Sequence, residues 1–459
     1  MEKIAILHTN DMHSHFENWP RVRHYILSKR SKLTRAGYQV LVVDDGDAID
    51  RWHPLTDATN GQANIKQLNR IHYDAVTIGN NEGINNSHQI LNHLYDHANF
   101  PVILDNLIDP HTHQIPKWAH LTKTFRSKDG TRIMFMGMTR AYENGYYPLG
   151  WQVKHINQVI PQMLKRFKGQ YDVLVLLSHL GVNRDRYIAA HYPQFDIIIG
   201  GHSHHLFLHG ERDNHSLLVA AKKFGYYVGC IQIKINHFHI IKDQASVVKT
   251  SDLPNPEDYR AEARQYMKKG NQLLAHQKIA KIPHTLKASL YGKSNLINEG
   301  LKSIMERTHT PAAMLSSGMF LRDLPRGIIN MKQIHEALPH SVFPMRSILD
   351  GNSLWMLVKE VQKNSYFLSR YHADGMGFRG KIFGRIHFAN IQYNPKTQVV
   401  YYNGEPVIPN KSYAIGMLEY YSFIPFFPVI SIMGRNHIFH DKFFRVTFAE
   451  YLHRHYPIH

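Results

Sequence analysis

Over roughly its first 205 residues the chain repeats one layout, a short apolar run that stops abruptly in a cluster of polar side chains. Ile4-Ala-Ile-Leu7 leads to Asp11 and His13, Val40-Leu-Val-Val43 to Asp45 and Asp47, and Ala75-Val-Thr-Ile78 to Asn80, Asn81 and Glu82. Further on, Val173-Leu-Val-Leu-Leu177 runs into Ser178 and His179, and Ile197-Ile-Ile199 into Gly200-Gly-His-Ser-His204. Continuous Val/Ile/Leu runs predict strands covered on both faces. Beyond the carboxyl ends of such strands α/β proteins place their chemistry, so loops from five strands can converge on one site. Between the runs, Ile156, Val159, Ile160, Met163, Leu164 and Phe167 follow the i, i+3, i+4, i+7 rule and predict a helix. Alternating strands and helices imply an α/β layered domain.

Near Asp252-Leu-Pro-Asn-Pro256 the pattern breaks. The charged segment from Glu257 to about Lys281, bounded by Pro256 and Pro283, predicts a connecting helix. Poor in apolar faces, it reads as a solvated spacer. The expected organisation is therefore a first domain over 1–245, a linker helix over 246–283 and a second domain over 284–459. At 459 residues and 43% hydrophobic, the chain is long enough for a core in each.

The single cysteine, Cys230, lies in a predicted strand at 226–235 and reads as core filling. Met1-Glu-Lys runs straight into a strand without the features of a secretory signal, and no apolar stretch reaches about 18 residues, so the expected setting is the cytoplasm with no membrane partner. A net charge of +18 suits anionic phosphate substrates and equally suits loose association with nucleic acid. Because Lys and Arg are spread without a basic tail or an RNA-binding signature, a general electrostatic funnel is favoured over a dedicated nucleic-acid module. Oligomeric state is unconstrained.

With 34 histidines, chance His-x-His pairs are expected, and five occur: 13/15, 111/113, 202/204, 237/239 and 453/455. Two have chemical company. Asp11 accompanies the first pair and a Gly-Gly turn precedes the 202/204 pair, each at the end of a strand run.

Taken in order, Thr9-Asn-Asp-Met-His13, Asp45-Gly-Asp47, Gly79-Asn80, Ser178-His179 and Gly200-Gly-His-Ser-His204 resemble the five blocks of the dinuclear metallophosphoesterases, specifically the 5'-nucleotidase and UDP-sugar hydrolase branch. The resemblance covers about residues 1 to 240 and continues more weakly to the C-terminus. It implies an N-terminal layered αββα domain joined by a helix to a smaller α+β C-terminal domain. It also implies two divalent ions, one on Asp11, His13 and His204, the other on Asn80, His179 and His202, with Asp47 bridging. Mixed imidazole, carboxylate and amide ligation fits Mn, Zn, Co or Fe better than Ca. The implied activity is hydrolysis of nucleotides or nucleotide-sugar-like phosphates by a metal-bridged hydroxide, with Asp47, Asn80 and Asn81 as catalytic residues. A basic nucleic-acid-associated protein, or a catalytically weakened nucleotide sensor on the same fold, is the alternative; the complete set of seven expected ligands argues against the sensor.

One block departs from the family. Where the usual pattern reads Gly-Asn-His-Glu-x-Asp, this chain has Gly79-Asn-Asn-Glu-Gly-Ile84, so the histidine that assists the leaving group and the aspartate that orients it are both gone. An amide at 81 can donate a hydrogen bond to a phosphoryl oxygen but cannot pass a proton. General acid help is worth roughly 100- to 10,000-fold, so the expectation is a preference for diphosphate-type or other good leaving groups, or recruitment of another acid such as His205.

The second domain resembles the 5'-nucleotidase substrate-binding domain through Met314-Leu-Ser-Ser-Gly318, Asp323-Leu-Pro325, Leu338-Pro339 and Gly404-Glu-Pro-x-x-Pro-Asn-Lys-Ser-Tyr413. Leu321 stands where the family carries a substrate-holding arginine, with Arg322 beside it. Tyr421, Phe423 and Phe426 are the rings the resemblance would stack on a base. Gly200-Gly201 is read as a turn that swings His202 and His204 into the site.

Overall fold

A computed structural model gives the structure of the protein and describes every residue except Asp374, Met376 and His459. By internal contacts it divides into two units, Met1–Gly270 and Asn271–His459.

In the first unit, alternation along each strand sorts apolar side chains onto two faces. Ile4 and Ile6 of the Glu2–Thr9 strand, with Leu41 and Val43, face Ile133, Phe135, Val175, Leu177, Ile197 and Ile199 of a second sheet. Ala5, Leu7 and Val42 face outward and are covered by Trp19, Val22 and Ile26 of the Trp19–Arg35 helix. On the opposite outer face, Met134, Met136, Leu174 and Leu176 meet Ile156, Val159, Ile160 and Met163 of the Ile156–Arg166 helix. The layers are thus helix, sheet, sheet, helix, the αββα order that the resemblance implied. Each such aliphatic side chain contributes about 1.5–3 kcal/mol on burial, against the entropy of ordering it.

Register then aligns the strand ends. The Glu2–Thr9 and Gln39–Asp44 strands run parallel with Thr9 beside Asp44, and Asp44 lies beside Val76. In the second sheet Ser178 pairs with Gly200 and His179 with Thr139, again in parallel. All five polar clusters therefore leave their sheets at carboxyl ends. Cys230 is buried in the Tyr227–Asn236 strand, as core.

The connecting region differs from its expectation. The first unit's sheet continues through the His239–Lys249 strand, beyond residue 245. Within the Tyr259–Ala275 helix, Glu262 takes both Nη atoms of Arg23, at 2.9 and 2.7 Å, and Nη1 of Arg70 at 2.7 Å. Those hydrogen bonds, Arg23 first, pull the Glu262 carboxyl to about 2. The first half of the helix is consequently an anchored part of the first unit, not a solvated spacer. Residues Lys278–Ile282 form a strand paired with Gly327–Asn330, because Lys-Ile-Ala-Lys-Ile alternates and buries Ala280 and Ile282.

The second unit is α+β. Its five-stranded sheet is centred on Ser412–Leu418, parallel to Ala312–Ser316 and antiparallel to Pro344–Asp350. Asn295–Thr308, Gly351–Leu368 and Phe444–His455 are its long helices. Among the described residues no helix is long and apolar enough to cross a membrane.

Candidate metal centre

The loops at the strand ends are locally strained. Asp11, His13, Asp47, His202 and His204 all adopt left-handed backbone, with φ of 52°, 46°, 50°, 67° and 56°. For residues with a Cβ this costs of order 1–3 kcal/mol each, and such strain persists where surrounding structure holds it, typically at functional sites. Here the hold is explicit. Asp11 N–H donates to Gly46 O at 3.0 Å, His13 N–H to Asp47 O at 2.8 Å and Phe224 N–H to Asp11 O at 2.7 Å.

These loops bring the predicted side chains together. His13 Nε2 lies 3.2 Å from His204 Nε2, 3.7 Å from Asp11 Oδ1 and 3.6 Å from Asp47 Oδ2. His179 Nε2 lies 3.3 Å from Asp47 Oδ2 and 4.0 Å from Asp11 Oδ1. Asn80 and His202 form the adjoining pair, with Oδ1 and Nδ1 2.8 Å apart. Two groups have ligand atoms all within 4.8 Å of one another, Asp11 with His13 and His204, and Asp11 with Asp47 and His179.

The donor set fits divalent cations. His179 Nε2 is buried with no hydrogen-bond partner, and it faces two carboxylates. Burial opposes ionisation of Asp11, but hydrogen bonds from His13 and His204 outweigh it and hold its carboxyl well below the usual range. Burial likewise opposes a charged His13, yet Asp11 and Asp50 lift the ring to about 10. Divalent cations bound here would take the place of protons that these carboxylates and imidazoles otherwise share. His202 is the exception, held near 4 by burial and then by the charge of His179, which leaves it a neutral imidazole.

Several neighbours were given no role from the sequence. Glu82 accepts the backbone N–H of Asp47, Gly79 and Ile49 and so pins the Asp47 loop; a glutamate three residues past the Gly79 helix cap was its available signal. Tyr142 Oη lies 2.9 Å from His202 Nε2. It and Arg140 follow the apolar Arg132–Thr139 strand, a sixth instance of the run-then-polar layout. Gly201 is required by close approach, since a Cβ there would lie 2.6 Å from Asp45 Oδ2 and 3.1 Å from Asp11 Oδ2 and His179 Nδ1.

Asn81 is turned inward. Its Nδ2 lies 2.9 Å from His13 Nδ1 and donates to Ile49 O at 3.1 Å, while its backbone N–H donates to Asp47 Oδ1 at 2.8 Å. In this position it orients the His13 ring and the Asp47 carboxylate. His205 is exposed, with Nδ1 3.0 Å from Ser203 Oγ.

In the second unit, Tyr421 corrects its expectation. The ring is fully buried (0%) and its Oη accepts Ser316 N–H at 2.7 Å, so core packing occupies the face that a base would need. Phe423 is 50% exposed, and Phe426 is half-buried against Phe367 and Tyr371 at 5.3 and 5.0 Å. Arg322 is exposed, and no hydrogen bond or cation–π contact among the described residues joins it to these rings.

Residues 4–206 match the calcineurin-like phosphoesterase family. The chain is 34% identical to the uncharacterized metallophosphoesterase YunD of Bacillus subtilis (strain 168), over 98% of each. In fold it is similar to a 5'-nucleotidase precursor from Thermus thermophilus, with TM-score 0.58, 16% identity, and 100% of this chain and 97% of that one covered. It is also similar to the NAD nucleotidase NadN of Haemophilus influenzae, with TM-score 0.65, 16% identity, and coverage of 99% and 96%. The chain belongs to the calcineurin-like metallophosphoesterases, hydrolytic phosphoesterases that use divalent metal ions and whose neighbours include 5'-nucleotidases.

Proposed function

We propose that this chain is a metal-dependent phosphohydrolase of nucleotides or nucleotide-sugar-like phosphates. The observation that carries the reading is the convergence of two ligand groups, buried except for the partly exposed His204, on one shared carboxylate, Asp11, with Asp47 beside it. Asp11, His13 and His204 would hold one ion, Asn80, His179 and His202 the other, and Asp47 would bridge. Such a pair supplies acidification of a water nucleophile and positive charge for phosphoryl oxygens. The donor chemistry suits Mn, Zn, Co or Fe.

The chain's own groups do the positioning. Asn81 N–H fixes Asp47 Oδ1, which leaves Oδ2 directed toward His13 and His179. Glu82 immobilises the loop behind Asp47, and Tyr142 orients His202. With no imidazole at 81, no proton donor stands at that position, so leaving groups stable as anions are favoured. The nucleotide part of the reading is supported by proteins of this fold named for nucleotide and NAD hydrolysis, and by the charge of +18.

The test is phosphate release by the full chain, stripped of metal and reloaded with Mn, Co, Zn or Mg. Nucleoside mono- and diphosphates, nucleotide sugars and cyclic nucleotides form the panel. Release from at least one nucleotide, abolished by chelation, is expected. No release from any of them under any metal rejects the proposal.

A further inference from the structure

On the His202 side of the metal-ligand cluster lies an open cleft of about 420 Å³, lined in part by Arg140, Leu180, Asn183, Arg186, His202 and His205. Among the described residues, none that lines it carries a carboxylate. Arg186 is already engaged, since its Nε and Nη2 donate to Glu211 at 2.8 and 2.9 Å. Arg140 has no such partner. Its Nη1 donates to Leu180 O at 2.8 Å, its guanidinium lies 5.8 Å from the Tyr142 ring centre, and among the described residues no carboxylate pairs with it.

Tyr142 links this cation to the centre, with Oη 2.9 Å from His202 Nε2, whose Nδ1 in turn meets Asn80 Oδ1 at 2.8 Å. A half-buried guanidinium without a counter-anion, one side chain removed from a phosphoryl site, is matched in shape and charge by a second phosphate. The volume is within the roughly 300–1,000 Å³ of small-ligand sites and exceeds what one phosphate fills.

We propose that Arg140 and its cleft bind the second phosphoryl group of a diphosphate-type substrate, the group that departs when the terminal phosphoryl is hydrolysed. The inference rests on the phosphohydrolase reading above and names a specificity-determining residue for it. In the reaction a water oxygen bonds to the terminal phosphorus and the P–O bond to the bridging oxygen breaks. The electron pair stays on the bridging oxygen, and one proton of the water passes to solvent. Products are inorganic phosphate and the shortened phosphate compound. A fixed positive charge at Arg140 meets the charge growing on the departing phosphate, a task that the amide at 81 cannot perform while it is tied to His13 and Ile49.

Arg140→Gln and Arg140→Lys separate charge from architecture, because both keep a donor for Leu180 O. The first readout is kcat/KM for a nucleoside diphosphate against p-nitrophenyl phosphate, which has no second phosphate. Gln should lower the ratio roughly 10- to 100-fold, the loss of a charged hydrogen bond, and Lys should retain part of it. The second readout is calorimetric binding of the non-hydrolysable α,β-methylene nucleoside diphosphate against the nucleoside monophosphate. Weakening should fall mainly on the diphosphate analogue. Equal losses on both members of each pair, or no loss on the diphosphate, overturn the inference. Monoester turnover by the unaltered enzyme with no turnover of any diphosphate overturns it too, and leaves the phosphohydrolase reading standing. Silence on the whole panel fails both.

Discussion

Glu82 Oε2 accepts the backbone N–H of Asp47 at 2.9 Å and that of Gly79 at 2.8 Å, while Oε1 takes Ile49 N–H at 2.8 Å. One buried carboxylate thus locks the Asp47 and Gly79 loops together. Glu82→Gln turns an N–H toward a backbone N–H and should weaken metal affinity or turnover roughly 10- to 100-fold, the usual size of an outer-shell effect. Calorimetric metal titration beside kcat checks it; unchanged affinity and unchanged turnover refute the positioning role.

Asp47→Asn should lower turnover of every substrate by roughly 1,000-fold or more, several kcal/mol of lost transition-state stabilisation. A neutral amide bridges two cations poorly. Metal content after dialysis should fall in the same variant, and wild-type metal content would contradict the bridging assignment.

Asn81 pairs with His13 Nδ1 at 2.9 Å, so its removal should act through the ring. Asn81→Ala is expected to cost roughly 10- to 100-fold in activity or metal affinity. In the unaltered enzyme, log kcat/KM across a series of aryl and alkyl phosphates should fall steeply with leaving-group pKa. A slope as shallow as in a relative carrying histidine at this position would show that a proton donor acts here after all.

Glu419 in the second unit gives a pH dependence of stability. Its Oε2 accepts Phe343 N–H at 2.6 Å, and burial pushes the carboxyl up to about 8. The unfolded chain titrates near 4.5, so between those values the folded chain holds a proton that the unfolded chain lacks. The stabilising contribution is complete below about 4.5 and disappears as pH rises through about 8. Glu419→Gln should match the unaltered chain in thermal midpoint at low pH and exceed it above pH 8. Parallel midpoint curves would refute the assignment.

Tyr421→Phe removes the acceptor of the buried Ser316 N–H. A loss of about 1–3 kcal/mol in stability is expected with no change in KM for nucleotides. Unchanged stability would refute the structural role of the hydroxyl.

Much of this protein is readable from its chain order alone. Apolar runs such as Val173–Leu177 mark buried strands because a strand covered on both faces needs consecutive apolar residues, a local property. The polar clusters that follow them name Asp11, His13, Asp47, Asn80, His179, His202 and His204, and the αββα class follows from the resemblance those clusters carry. Which atoms meet was decided by tertiary structure. Nothing local distinguishes Tyr421, inside the core, from Phe423, half exposed beside it in sequence. The inward turn of Asn81 onto His13, the pairing of Glu262 with Arg23 and the placing of Arg140 and Tyr142 beside His202 all join residues far apart in the chain. Such contacts depend on strand register and layer packing, which composition and spacing do not encode, whereas burial and turn chemistry are written residue by residue.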